Sequence, residues 1–507
     1  INHSRNLVMT FKTLIFNFDG TGSEPRDADQ FSTEHFKEDA SISNILKLHL
    51  LLGGKLDDSP TTPFSQQLSF YYQGIGTKGS RLKRILNQTL APRSEDVASI
   101  LTQAITDFKQ HYQSGDTVLL TGFSRGAALA RRFAKCLEPL INEQVYLCVF
   151  DTVASIGLSK ISKAARGAEH VVFENHTIAN NVAGALHCVA LDEKRRAFEP
   201  TLMNQQANIT ELWFAGAHSD VGGGYYRDGL ADICLRYALE WLIAQPLSVS
   251  LLTSHDIDYE NLLPESNLVA QDDVTVIPDP LALSHQQNYF WLNPFFKLVD
   301  RQCCVLINDE ISHNAPLIHH SVAQRINKLT SYRPESLKNI HYKMIYSDDS
   351  TLNFMGLSSH IMLANQNMSL LSVNQSQDVM VYASEAYNAT GLMLAQDATY
   401  RFTPYPNQFW YDDGVKCPPS GWHRDNVQLG VKEIPMALLE PFRRLATAQW
   451  FSLIGTIGQS DDHAFEIAEG VEITIKKSGE FCPFANDLSR FYGANAGRIK
   501  LKVTRLS

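Results

Sequence analysis

The fold turns on one stretch, Thr117-Val118-Leu119-Leu120-Thr121-Gly122-Phe123-Ser124-Arg125-Gly126-Ala127-Ala128-Leu129-Ala130. Thr117–Thr121 is a short apolar, β-branched run of the kind that forms a buried strand. Gly122 to Gly126 then spell Gly-x-Ser-x-Gly, and the small residues Ala127, Ala128 and Ala130 open a helix. A serine on such a strand-to-helix turn has its hydroxyl pushed outward, while the flanking glycines let strand and helix approach closely. The same five residues can form a glycine-rich turn with a passive serine. The strand before and the helix after favour a nucleophile at Ser124.

Working outward, the first half of the chain alternates strand-like and helix-like segments, the pattern of a mainly parallel sheet covered by helices. Ser94 to Gln113 reads as a helix with one buried stripe, Val97, Ile100, Leu101, Ala104, Ile105 and Phe108. Thr13–Phe18 is a strand that runs into Asp19-Gly20-Thr21-Gly22. Val145–Phe150, His187–Leu191 and Glu211–Phe214 are further strands, ending at Asp151-Thr152, Asp192-Glu193 and Gly216-Ala217-His218-Ser219-Asp220. In parallel sheets reactive groups gather at the carboxyl ends of the strands, so these tips are expected to share a cleft.

A serine nucleophile needs a base to take its proton and a carboxylate to orient that base. In the α/β-hydrolase arrangement the chain order is serine, acid, histidine. His218, in a glycine-rich strand end, is the expected base. Asp151, Asp192 and Asp220 are the candidate acids. Asp151 is favoured because it ends the strand that directly follows the nucleophile's strand and helix. Asp192 is followed by Glu193, Lys194, Arg195 and Arg196, which read as a solvated face or an ion-pair network. For the oxyanion hole the backbone N–H of Arg125 and the loop at Gly20 and Thr21 are expected, with Tyr72 to Thr77 as a supporting turn. The full phosphate-loop pattern is absent, which removes an NTPase reading.

Length and composition set the outer limits. At 507 residues the chain exceeds one compact core. A net charge of -10 argues against nucleic acid as a partner. The eight cysteines follow neither metal-ligand spacing nor a disulfide framework, which points to a reducing compartment. No apolar run is long enough to span a bilayer. Residues 1 to 8 lack an apolar signal core, and Met9 reads as the start, so the expectation is synthesis in the cytoplasm without a cleaved signal. Phe290, Trp291, Phe295 and Phe296 form a dense aromatic patch with Lys297. Such rings suit a membrane interface or acyl-chain entrance, and equally a lid packed on the core. The adjacent His319 and His320 read as structural. We expect an α/β-hydrolase catalytic domain over 9–267, an insertion or lid-like region over 268–377 completing it, and a β-sandwich over 378–507.

Taken together, Phe18-Asp19-Gly20-Thr21-Gly22, Tyr72 to Thr77, Gly122 to Ala127, Phe150-Asp151-Thr152-Val153, His218 to Gly224, His320-Ser321-Val322 and Tyr332-Arg333-Pro334 resemble the bacterial type VI secretion phospholipase effectors of the first lipase-effector family. The resemblance covers about the first 340 residues. It implies a Ser–Asp–His triad at Ser124, Asp151 and His218, and hydrolysis of membrane phospholipid without metal or organic cofactor. It further implies a secretion-apparatus partner, a cognate immunity protein, and action in the envelope of a target bacterial cell.

The C-terminal part resembles, through Trp410 to Gly414, Phe451 to Gly455, Asn486-Asp487 and Tyr492 to Gly497, the calcium-dependent galactose lectins. Asp487 and Asn495 match that pattern, but Phe491 and Ala494 stand where oxygen ligands belong. Calcium takes six to eight oxygens, so no metal is expected. The rival reading is a glycan- or partner-binding protein on a vestigial hydrolase scaffold. A second alternative is a hydrolase or acyltransferase for soluble esters.

Overall fold

The computed structural model describes residues 11–20, 23, 40–57, 59–74, 94–141, 144–154, 176–225, 228–262, 269–285, 298–329, 332–346, 349–357, 369–412, 415–423, 440, 443–458, 460–488, 492 and 495–507. These fall into two compact units. The first comprises residues 1–30, 40–319 and 340–353, and the second 31–39, 320–339 and 354–507.

The first unit is built on strands β1 (Thr13–Phe18), β2 (Gln67–Tyr72), β3 (Thr117–Phe123), β4 (Val145–Phe150), β5 (Val182–Ala190), β6 (Ile209–Phe214), β7 (Leu317–His319), β8 (His341–Ile345) and β9 (Thr351–Met355). They form one nine-stranded sheet in the order β9-β8-β7-β6-β5-β4-β3-β1-β2. Every pairing from β2 across to β8 is parallel. This is the α/β architecture expected from the alternation of strand and helix signals. Its described helices include α1 (Asn44–Leu51), α2 (Ser94–His111), α3 (Arg125–Leu137), α4 (His218–Gly222) and α5 (Gly229–Ala244).

The strands read as unbroken apolar runs because both faces are covered. Successive residues point to opposite faces, so each strand feeds two cores. Leu14, Phe16, Val118, Leu120, Leu147 and Val149 pack with Leu101, Phe108 and Phe133 of α2 and α3. Ile15, Leu119, Cys148, Phe150 and Cys188 pack on the other side with Leu48 of α1 and Leu235 of α5. From β1 the chain passes outward to β2, then returns through α2 to β3 on the other side of β1. The topological switch therefore lies between β1 and β3, whose carboxyl ends carry Asp19-Gly20 and Ser124. Ligands of open α/β sheets bind at such a point.

Strands β7 to β9 lie where the sequence reads as irregular. They are three to five residues long, too short to leave a periodic signature.

The second unit is rich in antiparallel strands. Its long strand Asn495–Arg505 pairs antiparallel with Ser376–Tyr382, Thr399–Pro404 and Trp410–Asp412. Val381, Tyr400, Phe402, Trp410, Phe481, Leu501 and Val503 fill its core. The Asn495 side-chain amide donates to Asp487 Oδ2 at 2.9 Å, so the two residues matching the lectin pattern satisfy each other. Phe491 and Ala494 lie outside the described residues.

Candidate active site

Ser124 links β3 to α3 with φ 57° and ψ −121°, a left-handed backbone that an L residue adopts only under constraint. Its N–H donates to the Phe150 carbonyl at 3.1 Å, and its carbonyl accepts from Val153 N at 3.2 Å. The turn is thus fastened to both sides of the β4 tip. Asp151, one of the two residues in between, also has positive φ, 39°. Two adjacent strand ends therefore carry strained polar residues, and strain of this kind collects at functional sites.

His218 opens α4 just after β6, and its Nδ1–H donates to Asp151 Oδ2 at 2.5 Å. The ring of Phe123, next to Ser124 in the chain, packs on the His218 imidazole at 4.7 Å, and Phe198 meets it edge-on at 4.9 Å. Ser124, Asp151 and His218 are all buried. Of the three candidate acids, Asp151 alone has a described hydrogen bond to His218. Asp192 Oδ2 accepts the Gly216 N–H at 2.7 Å instead. Asp220 pairs with His285, its Oδ1 accepting from Nδ1 at 2.7 Å.

Arg301 leaves no mark in the sequence, and Glu193 reads there only as part of a solvated face or an ion-pair network. Arg301 grips Asp151 with both ends of its guanidinium, Nη1 to Oδ1 at 2.6 Å and Nη2 to Oδ2 at 2.8 Å. The same groups donate to the carbonyls of Ala190 (2.8 Å) and Phe198 (2.6 Å). Glu193 accepts the His218 backbone N–H at 3.2 Å and a fork from Arg195, with Nε and Nη2 each at 2.8 Å. The run from Asp192 to Arg195 is therefore an ion-pair network rather than a solvated face, and Asp192 and Glu193 are buried. Nothing local announces Arg301, because its partner is 150 residues away in sequence.

The electrostatics follow from this packing. Burial works to raise the Asp151 carboxyl, but Arg301 and His218 outweigh it and hold it well below the usual carboxylate range. Burial likewise opposes Glu193, and Arg195 brings it down to about 2. His218 is lowered from its ordinary value, because burial outweighs the pull of Asp151 and Glu193. A neutral imidazole held by a carboxylate at Nδ1 leaves Nε2 able to accept a proton.

For the expected oxyanion donors, Arg125 is the buried first residue of α3. The Gly20 N–H donates to Asp19 Oδ1 at 2.6 Å. Asp19 Oδ2 accepts from Tyr71 (2.5 Å) and Ser43 (2.7 Å), and burial lifts this carboxyl to about 6. Thr21 and the aromatic residues Phe290, Trp291, Phe295 and Phe296 lie outside the described residues.

Among the described residues, Asp220, Asp228 and His285 have ligand atoms within 4.8 Å of one another, close enough to consider a metal. Asp220 is already engaged. His285 N (3.0 Å) and Nδ1 (2.7 Å) donate to its Oδ1, while Ala217 N (2.7 Å) and Ser284 Oγ (2.9 Å) donate to its Oδ2. Four donors fill a carboxylate's lone pairs. The arrangement is a clamp holding the turn that bears His218. All eight cysteines are free thiols.

A buried His–Asp pair and a serine on a strained turn thus stand at the carboxyl ends of the parallel strands of an α/β domain. Residues 12–144 and 142–245 match the family model described as the catalytic domain of the Tle1-like phospholipase effectors of type VI secretion. The resemblance carried by the sequence motifs is thereby shown. No curated protein matches the chain.

Several solved structures are similar to it, three of them as follows. The Tle1 effector bound to the VgrG spike from the type 6 secretion system shares 24% identity over 43% of this chain and 51% of that one, with a TM-score of 0.28. An uncharacterized protein from Pseudomonas aeruginosa shares 19% over 47% of each chain, TM-score 0.29. The EclA N-terminal domain, a PllA-like lectin, shares 16% over 28% of this chain and 98% of that one, TM-score 0.18. The chain thus spans about half the length of the first two structures. No helix among the described residues is long and apolar enough to cross a membrane.

Proposed function

We propose that the chain is a serine-dependent lipid ester hydrolase of the phospholipase A type, built on an α/β-hydrolase fold and acting as an antibacterial effector. The observation that carries this reading is the Asp151–His218 hydrogen bond, formed between residues far apart in the chain at the end of the sheet where Ser124 sits on its strained turn. The family-model match over residues 12–245 supports the substrate class.

In this reading Ser124 Oγ attacks the acyl carbonyl and its proton passes to His218 Nε2. Asp151 holds Nδ1 and stabilises the imidazolium. The proton then goes to the departing lysophospholipid oxygen as the acyl C–O bond breaks, and water releases the fatty acid from Ser124 by the reverse relay. A backbone N–H at Arg125 and one from the Gly20–Thr21 loop, whose Gly20 N–H must leave Asp19 Oδ1 to do so, take the oxyanion. The Phe290, Trp291, Phe295 and Phe296 rings meet the bilayer. The region over 268–377 completes the hydrolase, and the part from 378 onward forms a β-sandwich for docking. A spike component of the secretion machine and a cognate immunity protein are the expected partners, with the target-cell envelope as the place of action.

The test is mass spectrometry of mixed phospholipid vesicles incubated with the protein and with Ser124→Ala. Release of lysophospholipid and fatty acid by the first alone is expected. Turnover by both places the nucleophile elsewhere.

A further inference from the structure

Arg301 stands where the triad reading requires nothing. A carboxylate that orients a histidine needs only the imidazole and one backbone donor, yet Asp151 receives a bidentate guanidinium as well. Asp151 Oδ1 also accepts Ala190 N at 3.0 Å, so the two oxygens take four donors between them and the carboxylate cannot rotate. Arg301 is itself immobilised by the carbonyls of Ala190 and Phe198. The plane of the Asp151 carboxylate is thus dictated by a residue outside the β4–α4 pair.

The charges around His218 are Asp151, Glu193, Arg195 and Arg301, with the uncharged rings of Phe123 and Phe198 on its faces. With all four groups ionised, two anions balance two cations. Removing Arg301 would leave a net negative shell in a buried site, where an anion draws a proton onto imidazole.

We propose that Arg301 is a positioning residue for ester cleavage, fixing the orientation of Asp151 and dividing its charge so that His218 stays unprotonated and able to act as base. The proposal rests on the Ser124–His218–Asp151 reading. It predicts a function that a purely structural arginine would not have, because it sets a pH dependence as well as a stability.

The experiment measures the rate at which a fluorophosphonate labels Ser124 across pH 4 to 9, and kcat/KM for a short soluble ester over the same range, in the full chain. The unprotonated His218 is the reactive form, so both rates rise with pH through its pKa. In Arg301→Gln the unshared Asp151 charge favours imidazolium, so the acidic limb should move to higher pH by about one unit. Arg301→Lys keeps the cation but loses the fork, so its limb should stay near the wild-type position while kcat falls. Limb position is independent of how much protein folds, so the reading survives a loss of stability. Labelling of Ser124 with an unmoved limb in Arg301→Gln overturns the proposal while leaving the triad. Failure of the wild-type protein to label at Ser124 at any pH overturns the triad, and the proposal with it.

Discussion

Gly126 lies so close to the end of β1 that a β-carbon on it would stand 2.2 Å from the carbonyl oxygen of Phe18. That oxygen belongs to backbone, which cannot swing aside as a side chain would. The nucleophile turn and the Asp19–Gly20 loop therefore sit against each other with no room between them. Gly126→Ala should force them apart, costing about 1–3 kcal/mol and lowering activity more than stability explains. Thermal melting paired with the fluorophosphonate labelling rate checks this, and a variant with unchanged labelling contradicts the close packing.

At Ser124 itself, φ of 57° with ψ of −121° is a glycine-like conformation. Ser124→Ala should abolish turnover with the fold retained. Ser124→Gly should be equally inactive yet more stable than wild type by about 1 kcal/mol, since the strain is relieved. A Ser124→Gly melting temperature below wild type would show that the backbone is not held against preference.

Asp151→Asn and Asp192→Asn should separate cleanly. The first removes the acceptor for His218 Nδ1 and leaves Arg301 buried without its counter-charge. It should lower kcat by about 10³–10⁴-fold, and stability by about 3 kcal/mol. Asp192 Oδ2 accepts the Gly216 N–H, an acceptor role that asparagine keeps, and has no described hydrogen bond to His218. Specific activity of soluble protein decides, and a larger loss at Asp192 reverses the assignment.

Asp228 gives a pH dependence of stability. Burial lifts its carboxyl from 3.8 to about 8, and its Oδ2 has no hydrogen-bond partner. The folded state therefore holds a proton that the unfolded state releases near 3.8. This contribution is complete at acid pH and is lost as pH rises towards 8. Asp228→Asn should melt higher than wild type at pH 8, the advantage shrinking towards pH 5. Asparagine also retains the cap that Asp228 Oδ1 gives to Ala231 N. Melting curves at both pH values test the sign.

EDTA should leave melting temperature and activity unchanged. Asp487 is taken up by Asn495, and Asp220 by Ala217, Ser284 and His285. A drop in melting temperature that calcium or zinc restores would place a metal in one of these groups.

Much of the catalytic domain can be read from the chain because its central strands are buried on both faces and so leave continuous apolar runs. Helix α2 declares itself through Val97, Leu101, Ala104 and Phe108, all buried as the stripe requires. Ser124 and His218 stand out as polar residues at strand ends beside glycine, and Asp151 as the carboxylate that ends the strand following the nucleophile's strand and helix. Arg301 and Glu193 escape, for a different reason. Their roles depend on pairing across the fold, and a buried arginine or glutamate has the same letter as an exposed one. Strands β7 to β9 escape because so few residues carry no period.

His285 and Arg301 stand on either side of residues 286–297, the stretch that contains the aromatic run. One is fastened to Asp220, two residues beyond His218, and the other to Asp151. The consequence concerns how such a protein can be varied. Exchanging this stretch between relatives is a modular change only if both flanking residues travel with it. A graft that keeps the aromatic residues but drops either anchor would alter the acid–base pair itself.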